Sequence, residues 1–388
     1  MRAREFILKE AGPAIGRKYQ HIEDLVFTNG SDGGIHAAER LRSMAGQGGT
    51  IELKWDGSPV VYWGRNEDGQ FMLIPKNAWE YLKRGKTELD GGIKTAMTEP
   101  GDISKFILGT GRPPENKEVE IKRKQYAQQL ASLWSYFEKI SPPDGFIEGG
   151  LLFYPGTKPD GSTAAAVINQ ETGEYEFTPN ITTFHIHRDS NLGKRIAKAK
   201  IMVAATGYYK NLGSSEETRY PGAEGLSTPD VIVQGTTYVE KSPEIDDSLV
   251  DRAEQYIEQN AAAIDGFLSP KPGLSKPGDI LYKFFNQNLR IEGVKEKFRG
   301  WAEQNLSAGQ ANKVIADKSL DIVLNAVELL TAAKMDMIKK ISSGTHGGIR
   351  QTKPEGYVQA HPGSKFKKDI PGQFIKAIDQ GTWTPRRD

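Results

Sequence analysis

The sequence predicts an α+β fold in which an antiparallel sheet is interrupted by a largely helical segment. Short runs rich in apolar and β-branched residues, separated by turn residues such as Asp-Gly, occupy positions 51–74, as expected of antiparallel strands. Residues 246–341 carry apolar side chains at helical spacing, and prolines interrupt them near 269–277. Strand-like sequence returns after Gly344, so we expect the helices to be inserted into a mixed fold.

This pattern divides the chain into consecutive parts. We expect an N-terminal cap segment at residues 1–49, a first part of the core at 50–240, a helical insertion or accessory domain at 241–343, and a C-terminal part of the core at 344–388. The strands at 51–55, 60–63 and 71–74 are expected to form one antiparallel meander, followed by a helix at 118–140. Further strands are predicted at 145–154, 164–169 and 181–187.

Composition excludes several kinds of chemistry. The chain has 388 residues and no cysteine, which rules out disulfides, thiolate metal sites and cysteine nucleophiles, so a metal would need oxygen or imidazole ligands. Mg²⁺ is then the natural candidate. The sequence contains neither an apolar run of about 18 residues nor a secretory signal. We therefore expect a cytoplasmic protein without membrane contact, and nothing in the sequence predicts an obligate protein partner.

Charge is balanced overall but unevenly distributed. Lys and Arg number 51 against 50 Asp and Glu, so a nucleic-acid partner would require a local basic groove. Basic clusters occur at 83–86, 122–124, 194–200, 365–368 and 386–387. For any one cluster, a solvated helix face or tail is the ordinary explanation.

The segment Lys54-Trp55-Asp56-Gly57 carries the clearest chemical signal. A lysine at the end of a strand, beside a tight Asp-Gly turn, can present its amine to a phosphate that the backbone approaches closely. Such a nucleophile must first lose its proton, and desolvation or neighbouring cations favour that loss. An ordinary hairpin with Lys54 in solvent is the alternative, so the tetrapeptide alone decides nothing.

With Glu52 two residues before Lys54, this segment resembles the first motif, Lys-x-Asp-Gly, of the covalent nucleotidyltransferases, which include DNA ligases, RNA ligases and messenger-RNA capping enzymes. The Glu-Leu-Lys-x-Asp-Gly form looks particularly like ligases and leans toward DNA ligases. The overall resemblance is closest to polynucleotide ligases, among them phage RNA ligases. The resemblance implies an antiparallel-sheet nucleotidyltransferase core of the ATP-grasp-like ligase adenylation type. In it Lys54 would be adenylylated, Glu52 would recognise the adenine amino group, and Asp56 and Gly57 would contact nucleotide or metal.

Two later segments resemble further motifs of that family. Residues 144–152 resemble the third motif, Asp-Gly-Glu-Leu, in which an acidic residue contacts ribose or metal. Gly150 stands where that motif has its glutamate, so Glu148 is the expected carboxylate and Asp144 is the second candidate. Residues 181–186 resemble the next motif, whose aromatic stacks on the purine, and Phe184 is the candidate. A core role is the alternative for one aromatic residue on a strand.

The last two motifs are expected near the C-terminus. Glu355-Gly356-Tyr357-Val358 resembles Glu-Gly-x-Val, whose glutamate helps to bind the catalytic metal. Lys365 and Lys367 resemble the family's Lys-x-Lys pair, which holds the α-phosphate and stabilises charge in the transition state. Each motif is short, so the resemblance depends on the order in which the motifs follow Lys54 along the chain.

The resemblance extends from Glu52 to Lys367 and implies an ATP-dependent polynucleotide ligase. It would use ATP and Mg²⁺, with Mn²⁺ as an alternative ion, and would join a 5′-phosphate to a 3′-hydroxyl at nucleic-acid ends. ATP is favoured over NAD because only 53 residues precede Lys54. RNA is favoured over DNA because only 21 residues follow Lys367, which leaves no room for the OB-fold domain of DNA ligases and capping enzymes.

Some features depart from the family pattern. Pro59 stands where many relatives have arginine or asparagine, so Arg65 or Lys76 is assigned the phosphate or ribose contact. These departures leave two alternatives open: a ligase-like nucleic-acid-binding protein without catalysis, and a nucleotidyltransferase that acts on protein or a small molecule. His185 and His187 share one strand face, but no third metal ligand accompanies them at recognisable spacing.

Overall fold

A computed structural model describes most of the chain, in the ranges 21–46, 51–110, 113–114, 116–158, 160–216, 218, 220, 222–240, 243–274, 276–287, 294–352, 356–359 and 374–376. The strands are β1 (Ile51–Leu53), β2 (Val60–Arg65), β3 (Phe71–Pro75), β4 (Glu88–Leu89), β5 (Ile93–Lys94), β6 (Gly145–Phe153), β7 (Val167–Asn169), β8 (Glu174–Phe177), β9 (Thr183–His187), β10 (Ile201–Tyr209), β11 (Val231–Gln234), β12 (Ile349–Thr352), β13 (Gly356–Gln359) and β14 (Phe374–Lys376).

The helices alternate with these strands at first and then follow one another. They are α1 (Leu25–Met44), α2 (Lys76–Lys83), α3 (Pro100–Gly109), α4 (Lys117–Ser132), α5 (Trp134–Lys139), α6 (Asn191–Ile196), α7 (Asp247–Gln259), α8 (Ala261–Leu268), α9 (Pro277–Gln287), α10 (Val294–Asn305), α11 (Ala308–Ile315) and α12 (Leu320–Ser342). No helix in the described ranges is long and apolar enough to cross a membrane.

A five-stranded sheet in the order β11-β10-β6-β2-β3 lies at the centre. Its pairs are antiparallel except for β10 and β11, which are parallel. Successive strand residues point to opposite faces, and both faces of β10 are buried. Ile201 and Val203 pack into a core with α2, α3 and α5, whereas Met202 and Ala204 pack into a second core with the long helices. The central sheet therefore separates two hydrophobic cores.

Two smaller sheets complete the mixed α+β architecture that the sequence predicted. One has the order β12-β9-β8-β7 and the other β1-β13-β14, and every pair in both is antiparallel. The expected meander was wrong in one respect, because β2 pairs with β3 whereas β1 lies in a different sheet. The partners of β1 come from distant parts of the sequence, which local patterns do not reveal.

Helices α7–α12 form the predicted helical segment, and α1 packs against α7, α8, α9 and α12. Arg42 of α1 donates hydrogen bonds to Asp251 and Glu254 of α7, at 2.6 and 2.5 Å. Ser31 donates to the carboxylate of Asp265 in α8, from its backbone N–H at 2.7 Å and from its hydroxyl at 2.9 Å. The described part of the N-terminal segment thus belongs to the helical layer and does not form a separate cap.

After α12 the chain returns to the sheets, as predicted. Strand β12 pairs with β9, and β13 pairs with β1. One boundary differs from the prediction, because the helix expected at 118–140 is divided at Leu133 into α4 and α5. Trp134 and Phe137 of α5 can then reach Phe71 and Trp63 of the central sheet, with ring centroids 4.9 and 5.1 Å apart.

Candidate active site

A cavity of about 640 Å³ lies where β1, β6 and β10 meet the start of α2. Four side chains that the sequence singled out line it: Glu52, Lys54, Lys76 and Glu148. Its volume is within the range of small-molecule sites, about 300–1,000 Å³. Residues that are far apart in the sequence therefore converge on one ligand-sized space.

Strand β1 fixes the position of the first motif. Its residue Leu53 donates to the carbonyl of Thr237 at 2.8 Å, and its other edge pairs with β13. Glu52 and Lys54 are two residues apart, so the strand alternation directs both to the same side. Glu52 is buried, with 7% of its surface exposed, and Lys54 is half-buried.

The described part of the Glu-Gly-x-Val segment lies directly beside this strand. β13 runs antiparallel to β1, with Glu52 opposite Val358 and Leu53 opposite Tyr357. The first and fourth motifs, more than 300 residues apart, are thus neighbours in one sheet. Glu355, Lys365 and Lys367 lie outside the described residues.

Asp56, for which we expected a metal contact, is held by hydrogen bonds within the protein. Its carboxylate accepts hydrogen bonds from the side-chain amide of Asn180 at 2.9 Å and from the backbone N–H groups of Ile181 and Thr182 at 2.7 and 2.9 Å. It is 5% exposed and does not line the cavity. Because both oxygens are engaged in these bonds, the geometry makes Asp56 an anchor for the turn after Lys54.

Gly57 and Gly150 lie against each other, which explains a departure from the family pattern. A Cβ atom on Gly57 would be 2.5 Å from the carbonyl carbon of Gly150, and one on Gly150 would be 2.7 Å from the Cα of Gly57. Side chains do not fit at such separations, so a glutamate at position 150 would collide with the turn. Glu148, two residues earlier on β6, is the carboxylate that reaches the cavity.

Glu148 is held in place by a neighbouring strand. The hydroxyl of Tyr209 on β10 donates to its Oε2 at 2.8 Å. Asp144, the second carboxylate of this motif, is exposed and precedes β6 without lining the cavity. It lies beside Tyr208, where burial first and the Asp144 charge second raise the pKa of the tyrosine.

The two basic residues proposed as substitutes at the Pro59 position are separated by the fold. Lys76 lines the cavity at the beginning of α2. Arg65 does not, because its guanidinium donates to the carbonyl of Gly69 at 2.9 Å and lies 6.0 Å from the ring centre of Phe71. Lys76 is therefore the candidate phosphate contact.

Phe184 is placed differently from the exposed stacking residue that we expected. It is fully buried, with Trp55 and Phe177 at centroid separations of 4.9 and 5.4 Å. It belongs to the core beneath the first motif, and Trp55 lies between it and the cavity. The alternative reading of a core aromatic on a strand fits this geometry.

Several cavity residues carry no motif and were missed. They are Thr206, Tyr220, Glu224 and Tyr238. Tyr238 is 43% exposed, which is unusual for a large ring beside a buried strand. The only sequence signal is the alternation in Thr236-Thr237-Tyr238-Val239 after Gly235, and this indicates a strand without indicating its partner.

A second, larger depression of about 970 Å³ begins at Lys76 and continues along α2, α3 and α4. We call it the basic groove, and its basic side chains are those of Lys76, Arg84, Arg123 and Lys158, against the acidic Glu80 and Asp160. Arg84 and Arg123 come from two of the basic clusters seen in the sequence. Three tyrosines, Tyr81, Tyr126 and Tyr154, also line it.

Two groups in the basic groove have shifted pKa values. Burial, assisted by the charge of Asp160, raises the pKa of the Tyr154 hydroxyl to about 12. Hydrogen bonds from the hydroxyl and backbone of Ser162 lower the pKa of Asp160. At neutral pH the tyrosine is therefore uncharged, and the groove keeps an excess of positive charge.

Comparison with known proteins gives one match. The model of a family of unknown function, DUF6267, matches residues 18–80 and 115–368. No curated protein and no solved structure matches the chain significantly. The matched ranges include β1, β6 and β13, where the segments that resemble the first, third and fourth motifs lie, and leave out β4, β5, α3 and β14.

Proposed function

We propose that this chain, which belongs to the DUF6267 family, is an ATP-dependent polynucleotide ligase that acts through a lysyl-AMP intermediate at Lys54. The observation that carries the proposal is the convergence of Glu52, Lys54, Lys76 and Glu148 on one cavity of about 640 Å³. The pairing of β1 with β13 adds support, because it brings a second motif of the resemblance beside Lys54.

In the first step the unprotonated amine of Lys54 attacks the α-phosphorus of ATP. A phosphorus–nitrogen bond forms, the bond to the bridging oxygen breaks, and pyrophosphate leaves with the electron pair of that bond. Lys76 contributes positive charge at the cavity, where charge on the phosphate oxygens is stabilised. Lys365 and Lys367 are assigned the same task by their resemblance to the Lys-x-Lys motif.

The cavity also has groups that could bind a nucleotide base and a metal ion. Glu52 is a buried acceptor suited to the amino group of adenine, and the exposed ring of Tyr238 offers a stacking surface. Glu148 and Glu224 supply carboxylate oxygens, the ligand type that Mg²⁺ prefers. When bound there, Mg²⁺ would neutralise phosphate charge. Glu355 is assigned to the same ion by resemblance alone.

The basic groove is the proposed nucleic-acid site. It meets the cavity at Lys76, so a strand end lying in the groove would arrive beside the adenylate. Its cations suit backbone phosphates, and the half-buried rings of Tyr81 and Tyr126 suit unpaired bases. AMP would pass to the 5′-phosphate of this strand, and a 3′-hydroxyl would then displace AMP to form the phosphodiester. We propose RNA ends as the preferred substrate.

The test of the covalent step uses protein stripped of bound AMP with pyrophosphate and then desalted. Wild type, Lys54→Arg, Lys54→Ala and Lys139→Ala are incubated with Mg²⁺ and α-labelled ATP, GTP or adenylate-labelled NAD. Lys139 is an exposed lysine outside the cavity and serves as the matched control. We expect label from ATP that survives denaturation in wild type and Lys139→Ala and is absent from both Lys54 variants.

The acceptor is tested with the adenylylated protein. RNA and DNA strands with 5′-phosphate or 5′-hydroxyl ends are supplied with matching 3′-hydroxyl partners, and joined product is measured. Joining of 5′-phosphorylated ends supports the ligase. Adenylylation without transfer to either nucleic acid would instead indicate a protein or small-molecule acceptor. A stripped protein that never labels but still binds nucleic acid would contradict catalysis and indicate a ligase-like binding protein.

A further inference from the structure

A polar cluster lies on the sheet β12-β9-β8-β7, on the face away from Trp55. Phe177 and Phe184 are paired across β8 and β9 and point into the core. Their neighbours Glu176 and His185 are also paired, so the strand alternation places them together on the opposite face. Glu174, two residues before Glu176, shares that face. The cluster is therefore separate from the cavity that contains Lys54.

Three ligand atoms of the cluster converge within a small volume. Nδ1 of His185 lies 3.3 Å from Oε1 of Glu176 and 3.8 Å from Oε2 of Glu174. One such atom from each of the three residues falls within 4.8 Å of the others. Two ligands bound about 2.0–2.1 Å from an ion lie about 3.3 Å apart at a tetrahedral angle. The observed spacing is close to that of ligands around one ion.

The other ring nitrogen of His185 has a partner that can orient the imidazole. Nε2 lies 2.7 Å from the hydroxyl oxygen of Thr352 on β12. When Nε2–H donates to that oxygen, Nδ1 carries the lone pair, and this is the tautomer that a metal ligand requires. His185 is only 9% exposed, and Nδ1 makes no hydrogen bond with any residue that the structure describes.

The two carboxylates place negative charge beside a buried imidazole nitrogen, so a nearby cation is favoured. Arg350 supplies one positive charge by donating to Oε2 of Glu174 at 2.6 Å. A hydrogen bond from Nδ1 would need its hydrogen close to the line from donor to acceptor. The ring makes no such aligned bond with Glu176, although the atoms are 3.3 Å apart. A metal ion lies between its ligands and does not need that alignment.

We propose that His185, Glu174 and Glu176 bind one divalent metal ion of the Zn²⁺ type, with Nδ1 and a carboxylate oxygen from each glutamate as ligands. Asn169 donates to Oε1 of Glu176 at 3.0 Å, so both glutamates and the histidine have outer partners of the kind that orient metal ligands. The ligand set comes from β8 and β9, and His187, which shares a strand face with His185, is exposed and outside it.

Such an ion would join β8 to β9 at the hairpin that holds Asp56. The loop between these strands contains Asn180, Ile181 and Thr182, which donate to the Asp56 carboxylate. The metal thus has a structural role, as a link within the sheet that supports the first motif. This inference does not depend on the proposed ligase activity, because its site and its test involve neither ATP nor nucleic acid.

The experiment measures Zn²⁺ binding by calorimetry with the full chain after chelator treatment, and records the visible spectrum with Co²⁺ as a probe. The variants are Glu176→Gln and His185→Ala, with His187→Ala as the matched control and Glu148→Gln as a control for binding in the cavity. We expect one tight ion in wild type and both controls, with visible cobalt bands typical of low coordination number. Affinity should fall by more than about 100-fold in Glu176→Gln and His185→Ala.

Circular dichroism of each metal-free variant shows whether the variant is folded, so that loss of binding can be distinguished from loss of structure. Glu176→Gln preserves the shape of the side chain, so it reports on binding even if His185→Ala does not fold. Zn²⁺ should raise the melting temperature of wild type and His187→Ala and leave folded Glu176→Gln unchanged. Absence of tight binding in wild type, or equal binding in wild type and Glu176→Gln, would overturn the proposal.

Discussion

Glu52 and Tyr238 face each other across an antiparallel bridge at the edge of the cavity. Opposite residues of an antiparallel pair project to the same side, so a buried carboxylate and an exposed aromatic ring lie together beside Lys54. This arrangement combines a hydrogen-bond acceptor for an amino group with a surface for a planar base. It gives the cavity an aromatic residue that Phe184, buried in the core, does not provide.

Replacement of Tyr238 should weaken nucleotide binding. Stacking of a base on an aromatic side chain contributes about 1–3 kcal/mol, so Tyr238→Ala should raise the ATP concentration for half-maximal labelling by about 5- to 150-fold. Tyr238→Phe keeps the ring and should remain within about twofold of wild type. The rate of lysyl-AMP formation against ATP concentration measures both. Equal weakening in both variants would assign the effect to the hydroxyl instead.

Glu148 and Asp56 should respond differently to magnesium. Glu148 lines the cavity, whereas both oxygens of Asp56 accept hydrogen bonds from residues 180–182. Glu148→Gln should therefore raise the Mg²⁺ concentration needed for labelling. Asp56→Asn should leave that requirement unchanged and lower the free energy of unfolding by about 1–3 kcal/mol, because a charged acceptor is lost. Titration of labelling with Mg²⁺ measures the metal requirement of each variant, and unfolding in urea measures its stability. If Asp56→Asn is as stable as wild type but needs more Mg²⁺, Asp56 is a metal ligand after all.

The contact between Gly57 and Gly150 should tolerate no side chain. Gly150→Ala places a Cβ atom 2.7 Å from the Cα of Gly57, and overpacking of this kind costs about 1–3 kcal/mol. Gly150→Glu, which restores the family motif, should be more destabilising and should not gain activity. Gly300→Ala in α10 is the matched control, because nothing lies within 4 Å of its Cβ, and it should stabilise by about 0.5–1 kcal/mol. Urea unfolding compares the three variants.

A charge change in the basic groove should separate joining from adenylylation. Arg84 is exposed, lines the groove and does not line the cavity. Arg84→Glu should leave the rate of lysyl-AMP formation within about twofold of wild type and reduce nucleic-acid affinity about tenfold. The slope of log affinity against log salt concentration should become shallower by the equivalent of about one to two phosphate contacts. Lys139→Glu makes the same charge change outside the groove. If both reduce joining equally, net charge and not the groove governs binding.

The buried ion pair between Lys334 and Glu23 should control the stability of the helical layer. Lys334 on α12 is 1% exposed, and its ammonium donates to the fully buried Glu23 carboxylate just before α1. Lys334→Met removes the ammonium that donates to the buried Glu23 carboxylate, and it should cost about 3–5 kcal/mol of unfolding free energy. The double variant Lys334→Met, Glu23→Leu should recover most of that loss. Urea unfolding gives both values; additive losses would show that the pair is not coupled.

Local patterns determined the elements around the first motif and the order of the parts. Alternation predicted β2 and β3, helical spacing predicted the block that became α7–α12, and the motif order drew attention to Glu52, Lys54 and Glu148. These signals are readable because side-chain periodicity follows from the backbone geometry of each element. They also predicted that the chain returns to the sheets after the helices, as β12 and β13 do.

Pairing between distant segments was decided only by the tertiary structure. The sequence contains no signal that β1 lies between residues 237–239 and β13, that Gly57 meets Gly150, or that Glu174 and Glu176 approach His185. Phe184 and Asp56 were expected to contact the ligand; the structure places the Phe184 ring in the core and the Asp56 carboxylate in hydrogen bonds with residues 180–182. The sequence by itself determined which segments resemble motifs and, through strand alternation, which residues of a strand share a face. Strand register and sheet order, which depend on long-range packing, decided which of those faces meet.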